Sequence, residues 1–408
     1  YVSITGDNDN SGLSPATALK TIHEAIYRVA SDNINPKTVH VLSGEYSRTD
    51  NDQIFPIALK SWVIVQGSGI DTTTVVGEPH PTIIMEYGYA DRVFVAHGEE
   101  STIISNMSIT TRNTLNGCAV NGRKSSTISL ANLSISGVTP NHDAVISLWT
   151  TSEINSYWDS VSVTNVITSL SGLVAIEGAV SGKISNCVFS NATSTYYSSA
   201  VPGSPLVGIR GDRRLEIENC VFEHLAVEDN DTFVIAIGAK ECPQQQNHYT
   251  IKNCLFENIY SHDEMIGFGS VNNPRIDITN CTFAGNQGDA YTLIVNGDVN
   301  ITNSIFYNDT PYQIKVNPMD GNPNEHTNLT IDHSLVKDGI AGILPYPVPG
   351  NTVDFLPSSI NADPLFAGGL DIHDPEFYSL SEFSPCINSG TPDTLGLYLP
   401  PYDLAGNW

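Results

Sequence analysis

The sequence predicts an all-β protein folded as a parallel β-helix, and the main reason is a six-residue segment that recurs along the chain. Residues 217–222 read IENCVF, with close copies at 184–189, 251–256 and 278–283 and looser ones at 104–109, 130–135 and 301–306. The Asn residues of neighbouring copies are 26 (106 to 132), 33 (186 to 219), 27 (253 to 280) and 23 (280 to 303) positions apart. Self-similarity at a period of about 20–50 residues is typical of repeat proteins.

The residue pattern within each copy indicates which kind of repeat this is. Ile, Cys and Phe are apolar with polar residues between them, as in Ile251, Cys254 and Phe256. This alternation is typical of strands, and no copy is followed by a helix-length amphipathic segment. Strands that repeat in this way favour a parallel β-helix, whose coils stack at about 4.8 Å. An ordinary β-sandwich is the alternative.

Each position of the repeat has a predicted role. Asn tolerates the left-handed backbone of a tight corner, and we expect its amide to be buried and to hydrogen-bond to the next coil. The following Cys is predicted to point inward as a reduced thiol, because an in-register parallel pair has poor disulfide geometry. The Phe two residues further on is predicted to stack in a second inward column. The Cys column consists of Cys187, Cys220, Cys254 and Cys281.

The segments outside the repeats predict two caps on a single domain. Ser14 is a suitable N-cap and Pro15 a suitable first residue for a helix, with an apolar stripe from Leu19 to Val29. Such a helix would cover the open end of the core. The predicted organisation is an N-terminal strand and helix cap (1–37), a β-helix of about ten coils (38–337) and an irregular, Pro-rich C-terminal cap (338–408).

The charge balance limits the partners. The chain has 44 acidic and 18 basic residues and a net charge of −26. This argues against nucleic acid and an anionic membrane surface, and it permits bound divalent cations. No apolar run is long enough to span a bilayer, and no signal peptide is recognisable. Because the chain begins with Tyr1, we expect a processed mature protein.

Motifs at both ends of the chain occur in a recognisable order. They include Gly-Leu-Ser-Pro at 12–15 and Gly-Glu-Tyr at 44–46, then Ala-Asp-Pro-Leu-Phe at 362–366 and Ser-Pro-Cys-Ile-Asn-Ser-Gly at 384–390. In these motifs the chain resembles secreted bacterial right-handed parallel β-helix repeat proteins, a group with surface or adhesin-like and polysaccharide-active members. The resemblance implies a right-handed coil and an extracellular or cell-surface location. It implies no particular activity, because the group includes both enzymes and surface proteins.

Two clusters of polar residues are candidates for chemistry. Asp7 and Asp9 place oxygen ligands at alternate positions before a glycine, which permits a calcium loop, and an Asx-rich turn is the alternative. No other cofactor is expected. A polysaccharide lyase needs a base and a cation beside the uronate, whereas a hydrolase needs two carboxylates. The weak catalytic candidates come from one basic cluster and two nearby acids: Arg210, Arg213, Arg214, Glu216 and Glu218. A solvated loop with ion pairs is the alternative for this cluster.

Two further groups are candidates for binding. Flat side chains on a shallow face can stack on sugar rings, and the candidates for this role are Trp149, Tyr157, Trp158, Tyr196 and Tyr197. The outward residue between the Cys and Phe columns is apolar in the C-terminal copies: Val188, Val221, Leu255, Ile305 and Leu335. A contiguous apolar strip usually marks an interface, so we expect it to be covered by the chain's own tail or by another subunit.

The leading interpretation is an exported, non-catalytic surface, adhesive or extracellular-matrix protein that contacts polysaccharide or copies of itself. The alternative is a polysaccharide lyase or glycoside hydrolase that acts on a lateral face of the β-helix. A cleft that holds a Lys or Arg beside two or three carboxylates would favour the alternative.

Overall fold

The computed structural model describes residues 1–79, 92–112, 117–140, 144–149, 154–168, 172–178, 180–194, 205–211, 214–228, 233–238, 247–262, 264–269, 273–317, 326–345, 350–368, 377–395 and 397. Cα packing divides the chain into two compact units. Unit 1 comprises Tyr1–Gly182, Cys187–Tyr197 and Gly203–Ile209. Unit 2 comprises Lys183–Asn186, Ser198–Pro202 and Arg210–Trp408.

The N-terminal part of unit 1 contains short helices before and between the first strands. The α-helices are α1 (Ile22–Arg28) and α2 (Arg48–Asn51), and a 3-10 helix spans Pro15–Thr17. Ser14 is the N-cap of the 3-10 helix, and Thr21 caps α1 by accepting a hydrogen bond from the Glu24 N–H at 3.2 Å. The predicted single helix from Pro15 is therefore wrong. Leu19 is in a parallel bridge with Val2 instead, so its backbone is extended and α1 begins only after it.

The strands up to residue 211 are β1 (Lys37–Val41), β2 (Gly44–Tyr46), β3 (Ile57–Ala58), β4 (Val63–Gly67), β5 (Thr73–Gly77), β6 (Arg92–His97), β7 (Thr102–Thr111), β8 (Cys118–Arg123), β9 (Ile128–Ser136), β10 (Ile146–Trp149), β11 (Ile154–Thr168), β12 (Val174–Gly178), β13 (Val180–Ser185), β14 (Val188–Ser194) and β15 (Val207–Gly211). In unit 1 the strands β1, β4, β7, β9, β11 and β14 pair in parallel, with β2 and β5 leading into β7. A second parallel array contains β3, β6, β8, β10 and β12.

The strands of unit 2 are β16 (Arg214–Glu218), β17 (Val221–Val227), β18 (Ile235–Ile237), β19 (His248–Lys252), β20 (Leu255–Glu257), β21 (Tyr260–Ser261), β22 (Glu264–Phe268), β23 (Arg275–Thr279), β24 (Thr282–Gly288), β25 (Tyr291–Val295), β26 (Asp298–Thr302), β27 (Ile305–Asp309), β28 (Tyr312–Val316), β29 (Asn328–Asp332), β30 (Leu335–Val336), β31 (Ile343–Pro345) and β32 (Thr352–Phe355).

These strands form three parallel arrays in unit 2, with one segment of each array per coil. The first array is β16, β19, β23, β26, β29 and β32. The second is β17, then β20 with β21, then β24, β27 and β30. The third is β18, β22, β25, β28 and β31. This arrangement is that of a parallel β-helix.

The repeat Asn residues form the predicted corner. Every one has a positive φ, from 49° at Asn132 to 55° at Asn106, and Ser160 (56°) and His333 (46°) take the same conformation where the Asn is replaced. In β9, Ile128 and Leu130 are buried before the corner, and Leu133 and Ile135 are buried after it. The left-handed residue therefore shifts the strand alternation by one position, which keeps apolar residues inward on both sides.

The corner amides bond to one another between coils. Asn132 Nδ2 donates to Asn106 Oδ1 at 2.9 Å, Asn219 donates to Asn186 at 3.2 Å, and Asn253 donates to Asn219 at 2.6 Å. The predicted burial of these residues is wrong for Asn132 and Asn186, which are exposed. Asn219 and Asn280 are half-buried, and Asn253 is buried. The ladder stabilises a corner that is open to solvent at some coils.

The inward columns are confirmed in unit 2. The ring centroids of Phe222 and Phe256 lie 4.8 Å apart, those of Phe256 and Phe283 lie 4.4 Å apart, and those of Phe283 and Phe306 lie 4.4 Å apart, all nearly parallel. Each Cys of the column is also buried. Cys254 donates to the Lys252 carbonyl at 3.1 Å, so the sulfur hydrogen-bonds to its own strand. Cys242 lies outside the described residues.

The β-helix arrays continue beyond the predicted boundary at residue 337. A 3-10 helix spans Gly339–Gly342, after which β31 and β32 pair with β28 and β29. The rest of the described C-terminal segment is irregular apart from isolated bridges, such as Leu335 with Ile360. No helix among the described residues has both the length and the apolar character that crossing a membrane requires.

Truncating the central ring of the Phe column should destabilise the fold. Phe256→Ala leaves a cavity between two stacked rings, and we expect it to lower the free energy of unfolding by about 3–5 kcal/mol. Phe383→Ala is the matched control, because Phe383 is 78% exposed. Denaturant unfolding followed by circular dichroism measures both changes. Equal midpoints for the two variants would refute the column's role.

Two substitutions at Asn253 separate the contribution of the corner backbone to stability from that of the amide. Asn253→Gly keeps the left-handed conformation but removes the amide, whereas Asn253→Leu removes both. Because Asn219 Oδ1 loses its donor, we expect the Gly variant to lower the free energy of unfolding by about 1–3 kcal/mol. We expect the Leu variant to lower it further. Thermal unfolding measures the expected order of stability, from the wild type to the Gly variant to the Leu variant. A Leu variant as stable as the wild type would contradict this order.

Candidate functional site

The outward face of the first array in unit 2 is defined by the corner. Positions five, three and one residue before each corner Asn alternate with buried residues and face away from the core. The register then stacks them in rows across the array. One row is Arg214, His248, Arg275 and Asp298, the next is Glu216, Thr250, Asp277 and Asn300, and the third is Glu218, Lys252, Thr279 and Thr302.

These rows line a cleft of about 490 Å³. Its walls include Arg214, His248, Lys252, Arg275 and Asp277, together with threonines and Asn300. Leu397, from the C-terminal segment, also lines it. Residues that are far apart in the sequence therefore meet on one polar surface, because each comes from the same position of a successive coil.

Asp277 is the best-connected side chain of the cleft. Its Oδ2 accepts a hydrogen bond from Arg275 Nε at 2.9 Å and lies 2.8 Å from His248 Nε2, while its Oδ1 accepts one from Asn300 Nδ2 at 3.1 Å. Burial alone would raise the pKa of Asp277, but hydrogen bonds from Arg275, His248 and Asn300 outweigh burial and lower it. The carboxylate is therefore ionised at neutral pH, and His248 Nε2 carries the proton that it shares with Asp277.

The other cations of the cleft lie beside glutamates. Lys252 Nζ is 3.7 Å from Glu216 Oε1, and Lys183 forms an ion pair with Glu218. Lys252 is buried, so its ammonium group is held close to the face beside Glu216. The result is a cation-rich cleft whose lining also contains two carboxylates, Asp277 and Asp332.

Only some of the predicted catalytic candidates lie at or next to this cleft. Arg214 lines the cleft and is exposed, and Glu216 and Glu218 face outward on the same strand, β16. The side chain of Arg210 and the whole of Arg213 lie outside the described residues. The prediction missed His248, Lys252, Arg275 and Asp277. Counting back from each corner Asn would have identified them.

The aromatic candidates have different environments. Trp149 is 42% exposed and Tyr157 is 58% exposed, and the guanidinium of Arg123 lies 5.2 Å from the centre of the Trp149 ring. Trp158 as a sugar-stacking residue is wrong. It is 1% exposed and its Nε1 donates to Ser156 Oγ at 3.1 Å, because strand alternation turns it inward next to the outward Tyr157. Tyr196 and Tyr197 lie outside the described residues.

The apolar strip is at least partly covered. Leu255 and Leu335 are buried, and Val188, Val221 and Ile305 are half-buried. The backbone of Leu335 is in a parallel bridge with Ile360, so the chain's own C-terminal segment stacks on that end of the strip as a further rung. Binding of another subunit there stays a prediction.

The predicted calcium loop has the contacts of an Asx turn. Asp9 N–H donates to Asp7 Oδ1 at 2.9 Å, and Arg28 donates to the Asn10 carbonyl at 2.7 Å. Both aspartates are exposed. Calcium binding at Asp7 and Asp9 stays a prediction.

A second cluster of polar residues lies on the second array of unit 2. One ligand atom from each of Glu223, His224 and Glu257 lies within 4.8 Å of the other two. Burial, and then the neighbouring Glu223, raise the pKa of Glu257 to about 8. The sequence analysis did not identify this cluster, because Glu223 and Glu257 meet only when the coils are placed in register.

Comparisons with known proteins agree with this class of fold. Residues 171–353 match the family model described as a right handed beta helix region. Among curated proteins, none matches the chain.

Several solved structures are similar to the chain at low sequence identity. The catalytic domain of a GH87 alpha-1,3-glucanase in complex with nigerose is 12% identical, with 85% of this chain and 68% of that chain covered and a TM-score of 0.45. The A-module of the Azotobacter vinelandii mannuronan C-5 epimerase AlgE4 is 11% identical over 83% and 93% of the two chains, with a TM-score of 0.42. The tailspike protein gp49 of Acinetobacter baumannii bacteriophage Fri1, a capsular polysaccharide depolymerase, is 12% identical over 80% and 57%, with a TM-score of 0.40. These similarities concern the fold alone.

The lowered pKa of Asp277 predicts a pH dependence. A carboxylate whose pKa is lowered by folding stabilises the folded protein at pH values above its pKa in the unfolded chain. This contribution is lost as the pH falls through the pKa of the folded state. We therefore expect the stability difference between the wild type and Asp277→Asn to be constant near neutral pH and to shrink in acid below about pH 4. Denaturant midpoints over a pH series measure it. A difference that grows as pH falls would contradict the hydrogen-bonded carboxylate.

Proposed function

We propose that unit 2 binds an acidic polysaccharide in the cation-rich cleft of its first array, as an exported protein of the extracellular space or cell surface. The observation that carries the proposal is the gathering of Arg214, Lys252 and Arg275 on one face of a chain with a net charge of −26. Cations collected against such a background make a local site for anions. The carboxylate of a uronate is the anion that suits Arg and Lys on an open surface.

The other side chains of the face suit a sugar. Thr250, Thr279, Thr302 and Asn300 offer hydroxyl and amide groups between the charged residues, and these groups can both donate and accept hydrogen bonds. Six strands of the array stacked at about 4.8 Å give a surface about 24 Å long, which is enough for several sugar units of an extended chain.

A second candidate, cleavage of the bound polysaccharide, is favoured by the pair of His248 and Asp277. An imidazole whose Nε2–H is held by a carboxylate has Nδ1 as the nitrogen that can take up a proton, as a general base must. Arg214 is exposed beside it and can neutralise a uronate carboxylate. Together these groups suit β-elimination better than hydrolysis, because they supply a base and a cation.

Binding to a panel of polysaccharides tests the proposal. We expect polygalacturonate and alginate to retard the protein in affinity electrophoresis, with an effect that weakens as salt is raised, and neutral pullulan not to do so. The double variant Arg214→Ala, Arg275→Ala should weaken binding by about tenfold or more, since each charge-assisted contact is worth about 1.5–3 kcal/mol. Arg28→Ala removes a positive charge that belongs to unit 1 and is the control. Equal binding of neutral and acidic polymers would overturn the proposal.

Product analysis separates binding from cleavage. Ultraviolet absorbance of unsaturated uronates reports β-elimination, and new reducing ends without that absorbance report hydrolysis. If the protein is a lyase, His248→Ala should abolish the unsaturated product while acidic polymers still bind. Retained binding with no product in the wild type means that the cleft is a non-catalytic contact surface.

A further inference from the structure

The cluster of Glu223, His224 and Glu257 lies on the second array of unit 2, a different array from the one that forms the cleft. Glu223 and Glu257 are register partners in adjacent coils, where β17 pairs with β20. Glu223 and His224 are consecutive residues, so in a regular strand their side chains would point to opposite faces. Their ligand atoms nevertheless lie within 4.8 Å of each other and of a ligand atom of Glu257.

The backbone at His224 explains this convergence. His224 has a φ of 53°, in the left-handed region, which interrupts the alternation of β17. The matching positions of neighbouring coils are also left-handed, with φ of 48° at Asn258 and 64° at Gly285. This second corner therefore requires only a residue that tolerates positive φ, and Asn and Gly meet that requirement more easily than His. The backbone alone gives no reason for an imidazole here.

Glu257 provides the second, independent observation. Its side chain is 2% exposed, and its Oε2 has no hydrogen-bond partner among the described residues. A buried carboxylate oxygen without a donor is costly. At this cluster the ligand atoms that lie near Glu257 belong to Glu223 and His224. Such a group suits a ligand that brings positive charge.

The C-terminal segment helps to enclose the cluster. A Cβ at Gly285 would lie 2.6 Å from Tyr378 Oη and 3.2 Å from Asn258 Oδ1, so the glycine leaves room for the tyrosine over this corner. Burial, and then the charge of Glu257, raise the pKa of Tyr378 to about 12. Tyr378 therefore limits water access to Glu257 and stays a neutral hydroxyl.

We propose that Glu223, His224 and Glu257 bind a divalent transition-metal ion, with Zn²⁺ as the best match. Two carboxylates and one imidazole form a mixed oxygen and nitrogen ligand set, which suits zinc and its first-row neighbours, whereas Ca²⁺ and Mg²⁺ favour oxygen ligands throughout. A tetrahedral zinc ion with bonds near 2.1 Å holds its ligand atoms about 3.4 Å apart. Side-chain rotations that draw the three atoms together by about 1 Å reach that geometry and leave a fourth position for water.

Metal content and calorimetry of the full chain test the site. After dialysis against ZnCl₂ and then against metal-free buffer, we expect about one zinc per chain by elemental analysis, and weaker retention of Ca²⁺ under the same treatment. Glu257→Gln and His224→Asn should each lower the bound zinc by about tenfold or more. His224→Asn is chosen because Asn holds the same left-handed corner at Asn258, so the backbone is preserved. X-ray absorption of the zinc complex should show nitrogen and oxygen ligands without sulfur.

His262→Asn is the matched control. His262 pairs with Asp289 at 3.3 Å on the surface of the same unit, so its loss tests whether any histidine next to a carboxylate holds zinc equally well. We expect this variant to bind zinc as the wild type does and to show the same rise in melting temperature on zinc addition. A wild type that retains no zinc, or a Glu257→Gln variant that retains it fully, would overturn the proposal.

Discussion

The left-handed residue at each corner is the constraint on which the rest of this structure depends. A strand alternates strictly, so a turn made of ordinary residues would send the apolar positions after it to solvent. The positive φ at Asn219 and Asn253 shifts the alternation by one position. This shift explains why the spacing in the repeat is three residues from Ile to Cys and two from Cys to Phe. It also explains why the Phe rings of successive coils of unit 2 superpose within 5 Å.

Because the corner fixes the register, it also determines which outward side chains become neighbours. His248 and Arg275 are 27 residues apart in sequence and directly paired across β19 and β23. Asp277, two residues along the same strand from Arg275, can then accept from both of them. The alternation of inward and outward residues that the corner sets therefore produces both the core and the cleft. A mutation that moved the corner by one residue would disrupt both.

The sequence predicted the core better than the surface, for a physical reason. Inward positions repeat because they pack against copies of themselves, so the Phe and Cys columns are visible as identical letters. Outward positions need not repeat, because their side chains face solvent. In the row of Arg214, His248 and Arg275, for example, the residue type changes from one coil to the next. The start of α1 was mispredicted because the extended pairing of Leu19 with Val2 outweighed a plausible helix signal at Ser14. Trp158 was mispredicted because the alternation phase near Ser160 was unknown before the corner was located.

The two corners of the coil differ in how much they constrain sequence, and this difference separates structural residues from functional ones. At the first corner Asn is retained because its amide also bonds to the next coil, as Asn253 does to Asn219. At the second corner the backbone requirement is met by His224, Asn258 and Gly285 in turn, so side-chain identity is not fixed by the turn. Left-handed His is less favourable than left-handed Gly or Asn, and a residue kept there at that cost needs another reason. Glu257 supplies such a reason, because its buried Oε2 has no hydrogen-bond donor and its carboxyl group lies near the His224 imidazole.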